Sequence, residues 1–338
     1  MRWSHLLAPL APVYGGVVRT RAALYRRGVF ATRRCGLPVV SVGNLTFGGT
    51  GKTPTVLALA EDLIRRGHHP AVVTRGYGRT HSEPMVLTGP EVHASVADAG
   101  DEPLELAQRL PGVPIIIDAD RARGGRRASE LGADIVILDD GFQHLRLYRD
   151  LNLVLVDAGD PWGGDRLPPR GRLREPVSAI GRASAVVITK IDAEAVVPPE
   201  DIVRRILSIC PEMPIIGAQL VPQRLRTKEG WVDPDRLKGR RVFAVAGLGR
   251  PEGFRTLLES AGATIVGHRW FPDHHPYDAR DRDWIMTEAV KHDAVVVTTA
   301  KDAVKLDPFD DPWVVETMMQ PLGGGWDQLW SLIPEVGP

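Results

Sequence analysis

The run Thr46-Phe47-Gly48-Gly49-Thr50-Gly51-Lys52-Thr53 has the residue types and spacing that hold a nucleoside triphosphate. Glycines let the backbone wrap a phosphate, and its N–H groups join a helix N-terminus in holding the anion. Lys52 would reach the β- and γ-phosphates, and the Thr53 hydroxyl would bind Mg²⁺. Thr46 stands where the general pattern has its first glycine, and Gly48 and Gly49 supply the flexibility instead. Further on, the apolar run 135–138 ends in Asp139-Asp140. A carboxylate at the C-terminal edge of a strand holds Mg²⁺ beside a P-loop. A polar turn after a strand is the plainer meaning of the same pattern.

Other polar clusters need a partner before they mean anything. Asp101, in Gly100-Asp101-Glu102-Pro103, opens a helix-like stretch, where a carboxylate either caps the helix or works in a site. The loop 271–276 sets His274 beside His275, with too few ligands at the usual spacing for zinc. Thr74-Arg75-Gly76-Tyr77-Gly78-Arg79 follows a strand and is either an anion site or a solvated basic turn. Thr189-Lys190-Ile191-Asp192 approximates the guanine-reading Asn-Lys-x-Asp of GTPases, and Thr298-Thr299-Ala300-Lys301-Asp302 echoes it. A P-loop GTPase of regulatory or metallochaperone type is therefore the rival reading. Against it, Asp139-Asp140-Gly141 lacks the Asp-x-x-Gly spacing of a γ-phosphate switch. Gly247-Leu248-Gly249 has Glu252 where a dinucleotide fingerprint needs a third glycine, and reads as a plain strand-turn-helix.

These residues sit at the ends of short Val/Ile/Leu runs at 37–42, 71–74, 114–117, 134–138, 152–156, 185–189 and 214–220. Near-continuous apolar runs, rather than alternating ones, predict parallel strands covered on both faces. Between them lie amphipathic stretches such as 54–66, where Val56, Leu57, Ala60, Leu63 and Ile64 share one face and Gly67 supplies the stop. Segment 221–239 is polar, carries prolines at 222 and 234 and a Glu229-Gly230 turn signal, and predicts an extended linker or a hairpin. Strand-like runs resume at 241–246, 263–266, 294–298 and 313–316. The fold class expected is α/β: a P-loop NTPase-like parallel sheet with helices on both faces over 31–220, the linker 221–239, and a smaller α/β domain over 240–338. Residues 1–30 form an amphipathic helix, with Leu10, Tyr14, Val17, Val18 and Tyr25 at helical spacing beside Arg19, Arg21, Arg26 and Arg27. Such a helix lies in a lipid interface or docks on its own protein.

The 338 residues carry 42 Lys and Arg against 42 Asp and Glu, so no bulk charge argues for nucleic acid. Cys35 and Cys210 are too few for a disulfide framework or a cysteine-based zinc site and fit a reducing compartment. The most apolar N-terminal stretch, 6–18, is too short to span a bilayer, and Pro9 and Pro12 also argue against a signal peptide. The expected place is the cytoplasm, with contact to a membrane left open.

Taken together, seven segments resemble the tetraacyldisaccharide 4′-kinase family of lipid A biosynthesis. They are SVGNLTFGGTGKTP from Ser41, TRGYGR from Thr74, GDEPLELA from Gly100, ILDDGFQH from Ile137, GRLREP from Gly171, FPDHHPY from Phe271 and TTAKDAVKL from Thr298. They run in order over nearly the whole chain, and ILDDGFQH and GRLREP are far more specific than a P-loop alone. Ala300 departs from the family, where Glu is usual. The resemblance implies transfer of the ATP γ-phosphate, with Mg²⁺, to the 4′-hydroxyl of an acylated glucosamine disaccharide 1-phosphate. It implies an active site between two α/β domains and an N-terminal helix on the cytoplasmic face of the inner membrane. It makes Asp101 the proton acceptor, paired with His274, and gives Asp139 and Asp140 to Mg²⁺ and catalysis. Glu175 would belong to the nucleotide or metal site, and Tyr77, Arg172 and Arg174 are further candidates.

Overall fold

The computed structural model describes residues 10–89, 94–306, 311–323 and 325–333. Its strands, in chain order, are β1 Val39–Asn44, β2 Pro70–Thr74, β3 Met85–Leu87, β4 Ile115–Ile117, β5 Ile135–Asp139, β6 Leu151–Asp157 and β7 Ala185–Thr189. Then come β8 Ile215–Thr227, β9 Gly230–Val232, β10 Arg241–Gly247, β11 Thr264–Phe271, β12 Val295–Thr299 and β13 Trp313–Pro321. They form one sheet in the order β11-β10-β12-β13-β8-β7-β6-β1-β5-β2-β4-β3, with β9 paired to β8.

The N-terminal half is parallel from β8 to β4, with β3 added antiparallel at the edge. Strands β1, β2, β5, β6 and β7 are buried at every position, as their unbroken apolar runs require. The chain leaves β1 for β2 on one side, returns to β5 beside β1, and moves to β6 on the other. The order of the sheet therefore reverses at β1, the place where α/β sheets bind ligands. Register brings Val42 of β1 level with Asp139 of β5, so the P-loop and the paired aspartates leave the sheet side by side.

Helix Lys52–Arg65 follows the P-loop directly. Thr55 to Ala60, Asp62 and Leu63 are buried, because the helix lies between the sheet and the C-terminal helix Asp327–Trp330. Burying each of Leu57, Leu59 and Leu63 contributes roughly 1.5–3 kcal/mol. The fully buried Trp330 donates its indole N–H to Asp62 at 2.6 Å, which seals that packing.

Of the two alternatives for segment 221–239, the hairpin is the one the structure shows, built into the sheet rather than set apart as a linker. Strand β8 continues through it to Thr227, turns, and pairs with β9 as a hairpin. The same strand pairs parallel with β7 at its start and antiparallel with β13 along most of its length. It is thus a shared member of both halves of the sheet. The polar side chains that suggested a linker alternate with buried Leu225 and Thr227. Pro222, which has no N–H to donate, sits where the β8–β13 register shifts. Strands β10 to β13 complete the C-terminal half in parallel pairs.

The N-terminal helix runs Leu10–Arg26. Residues 1–9 of the expected amphipathic segment, and the Leu10 side chain, lie outside the described residues. The helix docks through Gly15, where an added Cβ would lie 2.8 Å from Leu167, and keeps Val13 and Val17 exposed. Among the described residues no helix is long and apolar enough to cross a membrane.

Candidate active site

The P-loop is held open by two left-handed glycines, Gly48 at φ 114° and Gly51 at φ 84°. A side chain at Gly51 would also strike Met319, 2.6 Å from the ideal Cβ. The loop is braced from three directions. Asn44 donates to the Thr46 carbonyl at 2.8 Å, and Thr189 donates to the Thr50 carbonyl at 2.8 Å. The Gly171–Pro176 segment lies against it, with Phe47 donating its N–H to Arg172 and Arg174 donating its N–H to Leu45. Thr46 is buried in this bridge, so the residue standing in for the first glycine is packed against Gly163 rather than free. The Thr50 hydroxyl is buried with no hydrogen-bond partner among the described residues, a polar group suited to a phosphate oxygen.

The paired aspartates at the end of β5 have different environments. Asp139 is buried and accepts from the Thr74 hydroxyl at 3.0 Å. Burial, with Glu102 and Asp140 nearby, pushes its carboxyl up. Asp140 turns out of the strand at φ 50° and accepts two hydrogen bonds from Arg174 Nη1, each 2.8 Å, with Lys52 Nζ at 3.6 Å. Burial works against ionisation there, but Lys52 and Arg174 outweigh it and hold the Asp140 carboxyl below its usual range. Lys52, Thr53, Asp139 and Asp140 all line one cleft. A hydroxyl and two carboxylates are the hard oxygen donors that Mg²⁺ takes, with substrate phosphates completing its shell. A cation there would also keep ionised the Asp139 carboxyl that burial disfavours.

Across the cleft, Asp101 and His274 meet. Asp101 is the first residue of helix Asp101–Arg109, not its cap, since that place belongs to Gly100. Its Oδ2 lies 2.8 Å from His274 Nδ1, and its Oδ1 accepts from the Glu102 N–H at 3.0 Å. His274 comes from the loop after β11, at φ 62°, and faces the cleft beside Tyr77, with ring centroids 5.6 Å apart. Burial alone would raise Asp101, but the His274 hydrogen bond, Lys301 and Lys305 hold it down at about 2. In turn the Asp101 hydrogen bond raises the His274 imidazole above its usual value. His275, one residue on, turns the other way: it stacks on Phe271 at 4.4 Å and bonds to Asp281 at 2.6 Å.

Glu175 is buried and lines the same cleft, but both carboxylate oxygens are held by Arg182, at 2.9 and 2.7 Å. Arg182 in turn lies over the Phe142 ring at 4.6 Å. Lys190 of the guanine-reader echo does not stand apart from the P-loop: it bonds to the Gly49 carbonyl and pairs with Asp157 at 2.9 Å. Asp192 is exposed. Arg250, which sequence reasoning passed over, comes from the C-terminal half and pairs with the same Asp157. Lys301 and Lys305 were also missed as site residues: Lys301 lies on the short helix Ala300–Ala303 and Lys305 on the turn after it.

The cleft measures about 1050 Å³ and has the N-terminal helix as one wall, through Tyr14, Val17, Val18 and Arg21. Tyr14 donates to the Arg174 carbonyl at 2.9 Å, and Arg21 donates to the Gln143 carbonyl at 3.1 Å. The helix is thereby tied to the two segments that carry Asp140 and its arginine.

The tetraacyldisaccharide-1-P 4′-kinase family profile matches residues 3–332. A tetraacyldisaccharide 4′-kinase of Anaeromyxobacter dehalogenans (strain 2CP-C) is 43% identical over 311 residues, covering 90% of this chain and 81% of the relative. Another, from Syntrophus aciditrophicus, is 42% identical over 307 residues, covering 87% and 82%. Among solved structures, the "apo" form of LpxK from Aquifex aeolicus in complex with ATP superposes with a TM-score of 0.77 at 30% identity, over 99% of this chain and 100% of that one. A P-loop at the switch point of this sheet, and a profile match from end to end, lead to one conclusion: the chain belongs to the tetraacyldisaccharide 4′-kinase family.

Proposed function

We propose that the cleft between the P-loop and the His274 loop is where the γ-phosphoryl group of ATP passes to the 4′-hydroxyl of a tetraacyldisaccharide 1-phosphate. As a member of its family the chain is an ATP-dependent lipid A 4′-kinase. The products are ADP and the 4′-phosphorylated disaccharide, and the hydroxyl proton leaves with the base. The observation that carries the placement is the convergence on one cleft of Lys52 and His274, whose Nδ1 lies 2.8 Å from Asp101 Oδ2.

The P-loop backbone and Lys52 bind the triphosphate and lower the cost of negative charge on the transferring group. Arg174 holds Asp140 in its left-handed turn, so the carboxylate faces Lys52. Thr53, Asp139 and Asp140 are the residues that would hold Mg²⁺, which neutralises phosphate charge when bound. The Asp101–His274 pair takes up the hydroxyl proton as the bond to phosphorus forms. Glu175 acts on the site through Arg182 rather than as a free carboxylate.

A tetraacylated substrate stays in the bilayer, so the enzyme meets it there. The N-terminal helix suits that meeting: Val13 and Val17 are exposed, Arg19, Arg26 and Arg27 stand out on the same segment, and Tyr14 and Val18 reach the cleft. The chain then lies peripherally on the cytoplasmic face of the inner membrane, with residues 31–220 and 240–338 acting as two lobes joined through β8.

Incubation of the protein with radiolabelled ATP and purified tetraacyldisaccharide 1-phosphate, followed by thin-layer separation, tests the assignment. Label moving into the lipid is the expected result, with ATP preferred to GTP. Hydrolysis without lipid labelling, or a preference for GTP, would favour the regulatory GTPase reading.

A further inference from the structure

The segment TTAKDAVKL is a motif with no part in the mechanism above, yet it stands directly behind the proton acceptor. Helix Ala300–Ala303 follows β12 and packs directly against helix Asp101–Arg109. Lys305 Nζ lies 3.5 Å from Asp101 Oδ2 and 3.1 Å from Asp302 Oδ1, and its side chain is 4% exposed. Lys301 Nζ lies 4.0 Å from Asp101 Oδ2 and 2.7 Å from Asp273 Oδ1, at the cleft edge. We propose that Lys305, assisted by Lys301, is a positioning residue for the Asp101–His274 pair: it bridges two buried carboxylates and favours the proton-free form of the pair.

The argument is one of charge. Asp101 and Asp302 are 3% and 0% exposed, so each needs a cation or donor to stay ionised. Asp302 is fixed, because its Oδ2 accepts from the Gly247 N–H at 3.0 Å and the Thr299 hydroxyl at 2.7 Å. Lys305 stands between the two carboxylates and makes no well-aligned hydrogen bond to either, so one ammonium is shared. Remove it and two buried carboxylates repel, which favours protonation of Asp101. The other charged groups around Asp101 are few. Glu102 and Glu105 share its helix, Asp273 and His274 come from the loop after β11, and Lys301, Asp302 and Lys305 come from the segment after β12. Burial pushes Glu105 up to about 7, and its own ion pair is with the buried Arg109 of the same helix at 3.5 Å.

The sign does not depend on which member of the pair binds the proton. A nearby ammonium disfavours protonation of the carboxylate and of the imidazole alike, and Lys301 lowers His274 as it lowers Asp101. With the lysines present, the pair gives up its proton at lower pH. Because Lys301 and Lys305 belong to the C-terminal half and Asp101 to the N-terminal half, the acceptor reaches its working state only when the halves are in contact.

This proposal rests on the reading of Asp101 and His274 as the proton-accepting pair. The test is the pH dependence of kcat/KM for Lys305→Met, Lys305→Arg and Lys301→Met, with thermal melts on each. A Lys305→Met/Asp302→Asn double variant removes the shared cation and one carboxylate together, so it guards against misfolding. Lys305→Met should move the acidic limb up by about one unit, a loss of roughly ten-fold on the acidic side. The KM for ATP should stay near that of the wild type. Lys305→Arg should restore most of the shift, and Lys301→Met should give a smaller one. The double variant should show a limb between those of wild type and Lys305→Met. An acidic limb unmoved in folded Lys305→Met, or losses in Lys305→Arg that equal those in Lys305→Met, would overturn the proposal. Asp101→Ala assayed alongside separates the two readings: a large loss there with unmoved limbs in the lysine variants removes this proposal alone. Full turnover in folded Asp101→Ala removes the pair itself and the proposal with it.

Discussion

The two walls of the cleft are built in different ways. The P-loop wall comes from neighbouring strands of one parallel sheet: β1 carries Lys52 and Thr53 on the helix that follows it, and β5 ends in Asp139 and Asp140. Register alone brings them level, and backbone hydrogen bonds from the Arg172–Arg174 segment hold the loop between them. The opposite wall is carried by a loop, a short helix and the turn after it. His274, Lys301 and Lys305 come from beyond β8, and they reach Asp101 across the seam between the halves of the sheet. On the proposed reading, phosphate binding is set by the sheet, whereas proton transfer depends on a junction. Changes to the first wall should weaken nucleotide binding and turnover together; changes to the second should spare nucleotide binding.

Lys52→Ala gives the largest effect in this comparison. It removes a cation that stands beside Asp140 in the nucleotide wall, so turnover should fall by about a thousand-fold with little change in melting temperature. A folded variant with near wild-type turnover would take the P-loop out of the account. Arg174→Ala comes next. It frees Asp140 from the guanidinium that hydrogen-bonds it, and kcat should drop roughly ten-fold or more as the carboxylate loses its orientation. Unchanged steady-state kinetics would show that the left-handed turn at Asp140 holds itself.

Charge reversal at Arg19, Arg26 and Arg27 addresses neither wall directly. Each cation near an anionic surface contributes about 1 kcal/mol, so the triple variant should lose most of its co-sedimentation with anionic vesicles. It should keep its affinity for ATP. Sedimentation that ignores both the substitutions and high salt would mean that the helix serves only as a wall of the cleft. The smallest effect is expected at Trp330→Phe, which deletes the hydrogen bond to Asp62 but keeps the ring buried. Urea unfolding should show a loss of about 1 kcal/mol with kcat unaltered.

The same contrast explains what could be read in the chain. Strands β1, β2, β5, β6 and β7 announce themselves as unbroken apolar runs, and the P-loop and paired aspartates follow from their ends. The continuation of β8 beyond residue 220 was left between linker and hairpin because its buried positions Leu225 and Thr227 alternate with Arg224 and Arg226, and Pro222 sits at the register shift. The pairing of Asp101 with His274 came from the family resemblance. Nothing local separates His274 from His275; the left-handed backbone at His274 decides which ring enters the cleft and which stacks on Phe271. Glu175 shows the reverse: its place in the cleft was legible, but its engagement by Arg182 was not, because that contact depends on the 3₁₀ turn Val177–Arg182.

The claim that proton transfer and phosphate binding sit on separate walls is tested most directly by kinetics on Asp101→Ala, His274→Ala and the double variant, with ATP affinity measured on each. Each single substitution should lower kcat by roughly a hundred-fold and leave ATP affinity near that of the wild type. Because the pair shares one hydrogen bond at 2.8 Å and acts as a unit, the double variant should be little worse than the worse single one. Losses that multiply fully in the double variant, or ATP affinity that falls in step with kcat, would contradict the account.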